Sequence, residues 1–263
     1  MSAYNAYWAF AAKCDAVDVI LDGQTEWFAT SLGTRFLRDE QAIVAEQLDT
    51  IFGEHLVQIG QWHSPDTFLA YARTQKKTLV DWRPGSAADL VMQPGRLALA
   101  SDSVDAILLP HTLELVSSPH ALLREVGRVL RAGGHLIVLS FEANSPWGLR
   151  QICARRGFPR GQQHLIRERR MRDWLQLLSF AVGPAHRYCH VLPINRFAYF
   201  SQVPEEAWAA RWLPFLNAGT CIAAQKRVSP ITPVRPMWRT PRLQAVRGLV
   251  EPSANSAPRN ETN

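Results

Sequence analysis

Short apolar runs that end at a glycine, an acid or a proline, separated by stretches of helical periodicity, constrain this chain more than any other feature. His55-Leu56-Val57-Gln58-Ile59-Gly60 reads as a buried strand running into a glycine, and Thr78-Leu79-Val80-Asp81 as a strand with a carboxylate at its exit. Residues 104–109 form another, ending at Pro110, and residues 136–139 a further one. Between them, Ser64-Pro65-Asp66 offers an N-cap and an N1 proline to a helix with Phe68, Leu69, Tyr71 and Ala72 on its apolar face. Ser118-Pro119 opens a second helix, whose Leu122, Leu123, Val126, Val129 and Leu130 share a face and which Gly133-Gly134 close. Strands apolar along their whole length are covered on both sides. The pattern therefore predicts an α/β architecture: a doubly wound, mainly parallel sheet between two layers of helices, with right-handed crossovers.

The flanks extend this core. Residues 38–52 place Ile43, Val44, Gln47, Leu48, Ile51 and Phe52 at three- and four-residue spacing, a helix that Gly53 ends. Arg83-Pro84-Gly85-Ser86 breaks the second strand, residues 88–92 form a brief one, and the segment from Leu97 leads into the turn Ser101-Asp102-Ser103. After a helix over 168–178, residues 188–192 and 220–227 are expected to add antiparallel strands at a C-terminal edge. The organisation read from this is an N-terminal extension (1–37), one α/β domain (38–228) and a basic, flexible tail (229–263) with five prolines within 25 residues and no periodic apolar face.

Composition excludes several classes. With 47% apolar and 20% charged residues in a chain of 263, a real core is expected and dominant disorder is not. The uncharged apolar stretches fall well short of the roughly 20 residues of a membrane span, and the first residues lack the basic opening of a secretory signal, so a cytoplasmic protein with no membrane partner is expected. Cys14, Cys153, Cys189 and Cys221 are too far apart for a paired metal motif and read as reduced and buried. His186 and His190 fall on one face of a strand and Cys189 on the other, so no metal set is assigned. Charge is uneven: residues 1–150 carry 12 basic and 17 acidic groups, whereas 151–224 carry 10 and 4. Seven arginines lie between Arg155 and Arg172 against the single acid Glu168. They read as a site for phosphate, on a small molecule or an RNA-linked group, or as the solvated face of the helix carrying Met171, Trp174 and Leu175.

In open parallel sheets ligands sit at the carboxyl ends of the strands, where the strand order reverses. The residues singled out there are Gly60, Asp81, the turn at Asp102, and the segment from Pro110 to Glu114. A bare glycine admits close backbone approach, and an acid at the second strand end, 21 residues on, can accept both hydroxyls of a ribose. Together they suggest a nucleoside.

The stretch from Leu97 to Val138, LALASDSVDAILLPHTLELVSSPHALLREVGRVLRAGGHLIV, resembles the second half of class I S-adenosylmethionine-dependent methyltransferases of the type 11 group. In that group a turn of the LPF type, a fourth strand, an H-x-LEH exit and an LLRE-x-x-RVL helix follow in this order. WFATSLGTRFLRDEQ and SPWGLR on either side resemble an uncharacterised bacterial subgroup. The resemblance implies a Rossmann-like fold and S-adenosylmethionine as cofactor. It places Gly60 beside the methionine part, Asp81 on the ribose, and residues 92–97 with Leu97 against the adenine; Asp102, Gln58 and Trp62 belong to the same cofactor set. His111 and Glu114 would face the methyl group. His111 is the candidate general base, its alternative role being to organise the loop by hydrogen bonding.

The departures also inform. Where the family has an acid followed by three alternating glycines, this chain has Gln58-Ile59-Gly60-Gln61-Trp62-His63-Ser64. Trp62 must swing into a wall or block the cofactor path, and Gln58 offers an amide oxygen in place of a carboxylate. Two readings follow: a methyltransferase acting on an unidentified, anionic or RNA-linked acceptor, or a methyltransferase-like binding or regulatory protein without catalysis. A nicotinamide-dependent dehydrogenase needs G-x-G-x-x-G at the first turn, and the chain lacks it.

Overall fold

The computed structural model describes residues 26–83, 86–153, 164–191, 193 and 217–227. These fall in the first of the chain's two units, Met1–Val228. Residues 1–25, Pro84-Gly85, the arginines Arg155, Arg156 and Arg160, and the expected tail 229–263 lie outside the described residues.

Among the described residues seven strands form one sheet in the order β3-β2-β1-β4-β5-β7-β6. They are β1 (His55–Ile59), β2 (Lys76–Asp81), β3 (Leu90–Val91), β4 (Val104–Pro110), β5 (Leu130–Phe141), β6 (Phe180–Tyr188) and β7 (Gly219–Lys226). The first five are parallel; β7 runs antiparallel between β5 and β6. The order reverses between β1 and β4, so the exits of these two strands flank the switch point.

Strand alternation sorts the core into two clusters. Leu56, Ala106, Leu108, Ile137, Leu139 and Phe141 point to one face, where α1 (Ser31–Asp49), α2 (Asp66–Leu69) and α5 (Pro146–Cys153) pack. Val57, Ile59, Ile107, Leu109, Leu136 and Val138 point to the other, against α4 (Pro119–Val129) and α6 (Glu168–Leu177). The remaining helix, α3 (Thr112–Leu115), is a single turn after β4.

Several boundaries differ from expectation for identifiable reasons. The first helix starts at Ser31 rather than 38, because the Thr30 side chain accepts a hydrogen bond from the Gly33 N–H at 3.1 Å and caps it, and it ends at Asp49. Ser64 and Ser118 precede helices but make no side-chain cap. Gly133-Gly134 do not terminate α4; they lie within β5, where the register against β4 shifts between Val104 and Ala106 and Gly133 takes φ of 79°. The expected strand at 188–192 is displaced: β6 covers Phe180–Tyr188 and stops where Cys189 turns left-handed at φ of 55°. Gly183-Pro184 sits at a register shift of this edge strand, one of the few places in a sheet that tolerates a proline.

Candidate active site

At the exit of β1, Gly60 adopts φ of 94° and donates its N–H to the Val80 carbonyl at 2.7 Å, which ties the turn to β2. A Cβ there would lie 2.7 Å from Thr112 Oγ1. Thr112 belongs to the β4 exit and donates its hydroxyl to the Ile59 carbonyl, so the two central exits are stitched together across the switch point. Substituting Gly60→Ala is expected to cost about 1–3 kcal/mol from the backbone conformation alone, with crowding against Thr112 added. A urea unfolding midpoint that matches the parent would show that the turn relaxes freely.

Gln58 precedes this turn with its side chain fully buried. Its Nε2 donates to the Gly60 carbonyl at 3.0 Å, and its Oε1 is a buried acceptor without a partner. Asp81, at the exit of β2, is equally buried. Its Oδ2 accepts from the Gln61 N–H at 2.9 Å, and its Oδ1 accepts from the N–H groups of Trp82 at 2.7 Å and Arg83 at 3.0 Å. The Arg83 guanidinium completes the set as a buried ion pair, with Nη2 2.7 Å from Oδ2. Gln58, Gly60 and Asp81 therefore gather at neighbouring strand ends, as the sequence suggested.

Trp62 turns into the aromatic cluster with Phe28, Phe36 and Phe141 and is almost fully buried. Its ring stacks on His111 with centroids 4.2 Å apart, and its Nε1 donates to Glu40 Oε2 at 2.9 Å. Glu40 is the centre of a network that periodicity alone did not single out. It sits in the middle of the buried stripe Leu32, Phe36, Glu40, Val44, Leu48 of α1, and besides Trp62 it accepts from the Tyr188 hydroxyl at 2.7 Å and meets His111 Nε2 at 2.5 Å. On the other side, His111 Nδ1 lies 3.1 Å from Glu114 Oε2, and Glu114 Oε1 accepts from the Phe141 N–H at 2.6 Å. A carboxylate on an otherwise apolar helical stripe was the available signal.

Burial alone would depress the His111 pKa, but the two flanking carboxylates outweigh it and raise the value to about 9. Desolvation raises the pKa of Glu114, so its carboxyl holds its proton more tightly than an exposed one. Burial and the nearby Glu40 carboxylate push the Tyr188 hydroxyl well above its ordinary range. His111 thus carries its proton at neutral pH with both ring nitrogens engaged, and in this arrangement it has no lone pair with which to take a proton from an acceptor.

The remaining sequence-derived positions separate. Leu97 is buried in the same apolar cluster as Ile59 and Val80, with its carbonyl held by Arg128. Asp102 is elsewhere: its turn enters β4 at the amino end, opposite the exits, and its carboxylate pairs with Lys226 at 2.8 Å. A turn that precedes a strand lies at the far end from the turn that follows it, so Asp102 is not part of the exit constellation. Of the arginine-rich run, Arg172 pairs with Glu168 and Arg170 lies over the Trp174 ring, so both are engaged on α6.

The family described as "Methyltransferase domain" matches residues 51–138, the segment from just before β1 into β5. An uncharacterised protein of Escherichia coli K12, YafS, is 32% identical over 202 residues, covering 75% of this chain and 80% of that protein. The chain belongs to the class I methyltransferase family. Solved structures share this methyltransferase fold at lower identity. An S-adenosylmethionine-dependent methyltransferase of Thermotoga maritima, a possible histamine N-methyltransferase, superposes with a TM-score of 0.55 at 17% identity, over 77% of this chain and 93% of that one. A geranyl diphosphate methyltransferase in complex with S-adenosylmethionine gives 0.53 at 15%, over 71% and 84%. The cyclase SpnF gives 0.52 at 17%, over 72% and 80%. Methyltransferases of this kind use S-adenosylmethionine. Among the described residues no helix is long and apolar enough to cross a membrane.

Proposed function

We propose that this chain transfers the methyl group of S-adenosylmethionine to an acceptor bound at the carboxyl edge of the sheet, with Gly60, Gln58 and Asp81 holding the cofactor. The observation that carries the reading is the pairing of two buried acceptors at adjacent strand ends: Gln58 Oε1, which has no partner, and the Asp81 carboxylate. Gln58 Oε1 suits the cofactor's ammonium, which is a donor only, and Gly60 presents no side chain against the methionine part. Asp81 suits the two ribose hydroxyls once the Arg83 guanidinium leaves it. The residues present therefore fit the group, and Leu97 supplies apolar contact for the adenine.

The bound cofactor supplies a sulfonium-activated methyl group. The protein's task is then alignment of an acceptor with it, by in-line approach at a fixed distance. His111 serves this reading as a positioning residue: clamped between Glu40 and Glu114, it fixes the backbone at the β4 exit, where the acceptor would meet the methyl group. An anionic or RNA-linked acceptor would engage the arginine-rich run 155–172. The second reading, a binding or regulatory protein without catalysis, is favoured by one observation, that the Asp81 oxygens are already occupied from within the chain.

Calorimetric titration with S-adenosylmethionine and S-adenosylhomocysteine, with NAD as the control, separates the two. Micromolar binding of the adenosyl ligands alone supports the methyltransferase reading, and absence of binding transfers the weight to the second. Asp81→Ala is expected to weaken adenosyl-ligand binding by about 1–3 kcal/mol through lost charge-assisted hydrogen bonds. Equal affinity in the variant would remove Asp81 from the site.

A further inference from the structure

Asp81 is where the reading above seats a ribose, and the chain's own Arg83 lies on the same carboxylate. Nε lies 3.0 Å from Oδ1 and 3.2 Å from Oδ2, and Nη2 lies 2.7 Å from Oδ2. A guanidinium presents neighbouring N–H donors to a carboxylate in a fork. A ribose presents two neighbouring O–H donors to the same oxygens, so the two compete. Nothing is left over for both: with the N–H groups of Gln61, Trp82 and Arg83 also on Asp81, its roughly four lone-pair positions are spoken for.

The seat is closed over from the first loop. Arg83 Nη2 also donates to the Gln61 carbonyl, and the Gln61 side chain accepts from the Ala87 N–H at 2.9 Å while donating to the His63 carbonyl at 2.9 Å. Yet the arginine is not fully satisfied there. Its side chain is 3% exposed, and Nη1 is buried without a partner. An unpaired buried donor penalises this state and is hydrated again when the side chain swings out. Asp81 stands up well to the departure, because three backbone N–H groups stay on it. The side chain is therefore held on Asp81 without being fully satisfied there, and a tenfold effect on affinity corresponds to its being seated in about nine molecules of ten.

Resting on the methyltransferase reading of this site, we propose that Arg83 is a built-in stopper of the cofactor site: it occupies the Asp81 oxygens in the free protein and yields them to the ribose diol on binding. Apparent affinity is then reduced by the fraction of molecules in which the arginine is seated.

The test is titration of S-adenosylhomocysteine into the full chain, its Arg83→Ala variant and its Arg83→Lys variant, with circular dichroism and thermal unfolding to verify the fold of each. Arg83→Ala should bind about tenfold more tightly or better, and Arg83→Lys, with a point charge in place of the fork, should fall between it and the parent. The gain should be confined to ligands with both ribose hydroxyls: 5′-methylthioadenosine should show it and its dideoxy analogue should not. A parent that does not bind beside an alanine variant that does would also support the stopper. Unchanged or weaker binding by a folded Arg83→Ala protein, with the parent binding, overturns the stopper alone and leaves the cofactor reading standing. Absence of binding by all three proteins overturns both.

Discussion

Replacing Glu40 with alanine is expected to remove about 3–5 kcal/mol of folding stability, a large share of what a single domain possesses. The loss is not that of one contact. Glu40 accepts from Trp62 Nε1 and the Tyr188 hydroxyl and sits against His111 Nε2, so its removal leaves two buried donors and a buried imidazolium facing a void. An unpaired buried charge is among the costliest single changes a core can suffer, and each orphaned donor adds to it. Glu40→Gln should cost less but still destabilise, because its amide nitrogen must face at least one donor where the carboxylate faced only donors. Urea unfolding followed by circular dichroism measures both; a loss below about 1 kcal/mol for the alanine variant would show that the network contributes little.

Folding stability is expected to fall as pH rises from about 6.5 to about 9. Folded His111 binds its proton more tightly than the unfolded chain does, since its pKa is raised from 6.5 to about 9. Its contribution is therefore fully present below the unfolded value and is lost as pH climbs through the folded one. Converted at about 1.4 kcal/mol per pKa unit, the change approaches about 3 kcal/mol across the window. Glu114, also raised, acts in the same sense from its ordinary value upward. His55 and His135 act oppositely, because burial lowers their pKa; their contribution is lost as pH falls below the unfolded value of 6.5, outside the window. Unfolding curves at successive pH values test this, with His111→Asn as the control. Asparagine tolerates the left-handed backbone at position 111 (φ of 53°) and cannot titrate, so its profile should lose the part of the fall centred between 6.5 and about 9 and keep only what buried Glu114 contributes. A flat parent profile would overturn the assignment of the proton to His111.

What was legible in the sequence was what is local. The stripe Leu122, Leu123, Val126, Val129 marks α4 because a helix repeats every three to four residues, and β1 and β4 declare themselves because both faces of a central parallel strand are covered. Gly60 and Asp81 were legible because they close such strands. Asp102 misled because a turn says nothing of which end of the next strand it serves until strand direction is considered. The Glu40 network was illegible because its members are 22, 71 and 148 residues apart, and only the folded topology brings α1, the β1 loop, the β4 exit and the end of β6 to one place. Arg83, two residues from Asp81, was read as the start of a break. The local sequence offered no reason to expect its side chain to fold back over the exit it had just left.

The place of β7 in the sheet orders events during synthesis. β5 and β6 emerge from the ribosome with a vacant lane between them, since the strand that fills it is encoded by residues 219–226. At roughly 5–20 residues per second, several seconds pass from β5 to β7 in which two neighbouring strand edges stand open. Unpaired edges recruit other strands. Until residues 219–226 arrive, the open edge of β5 is one on which a strand of another chain could pair.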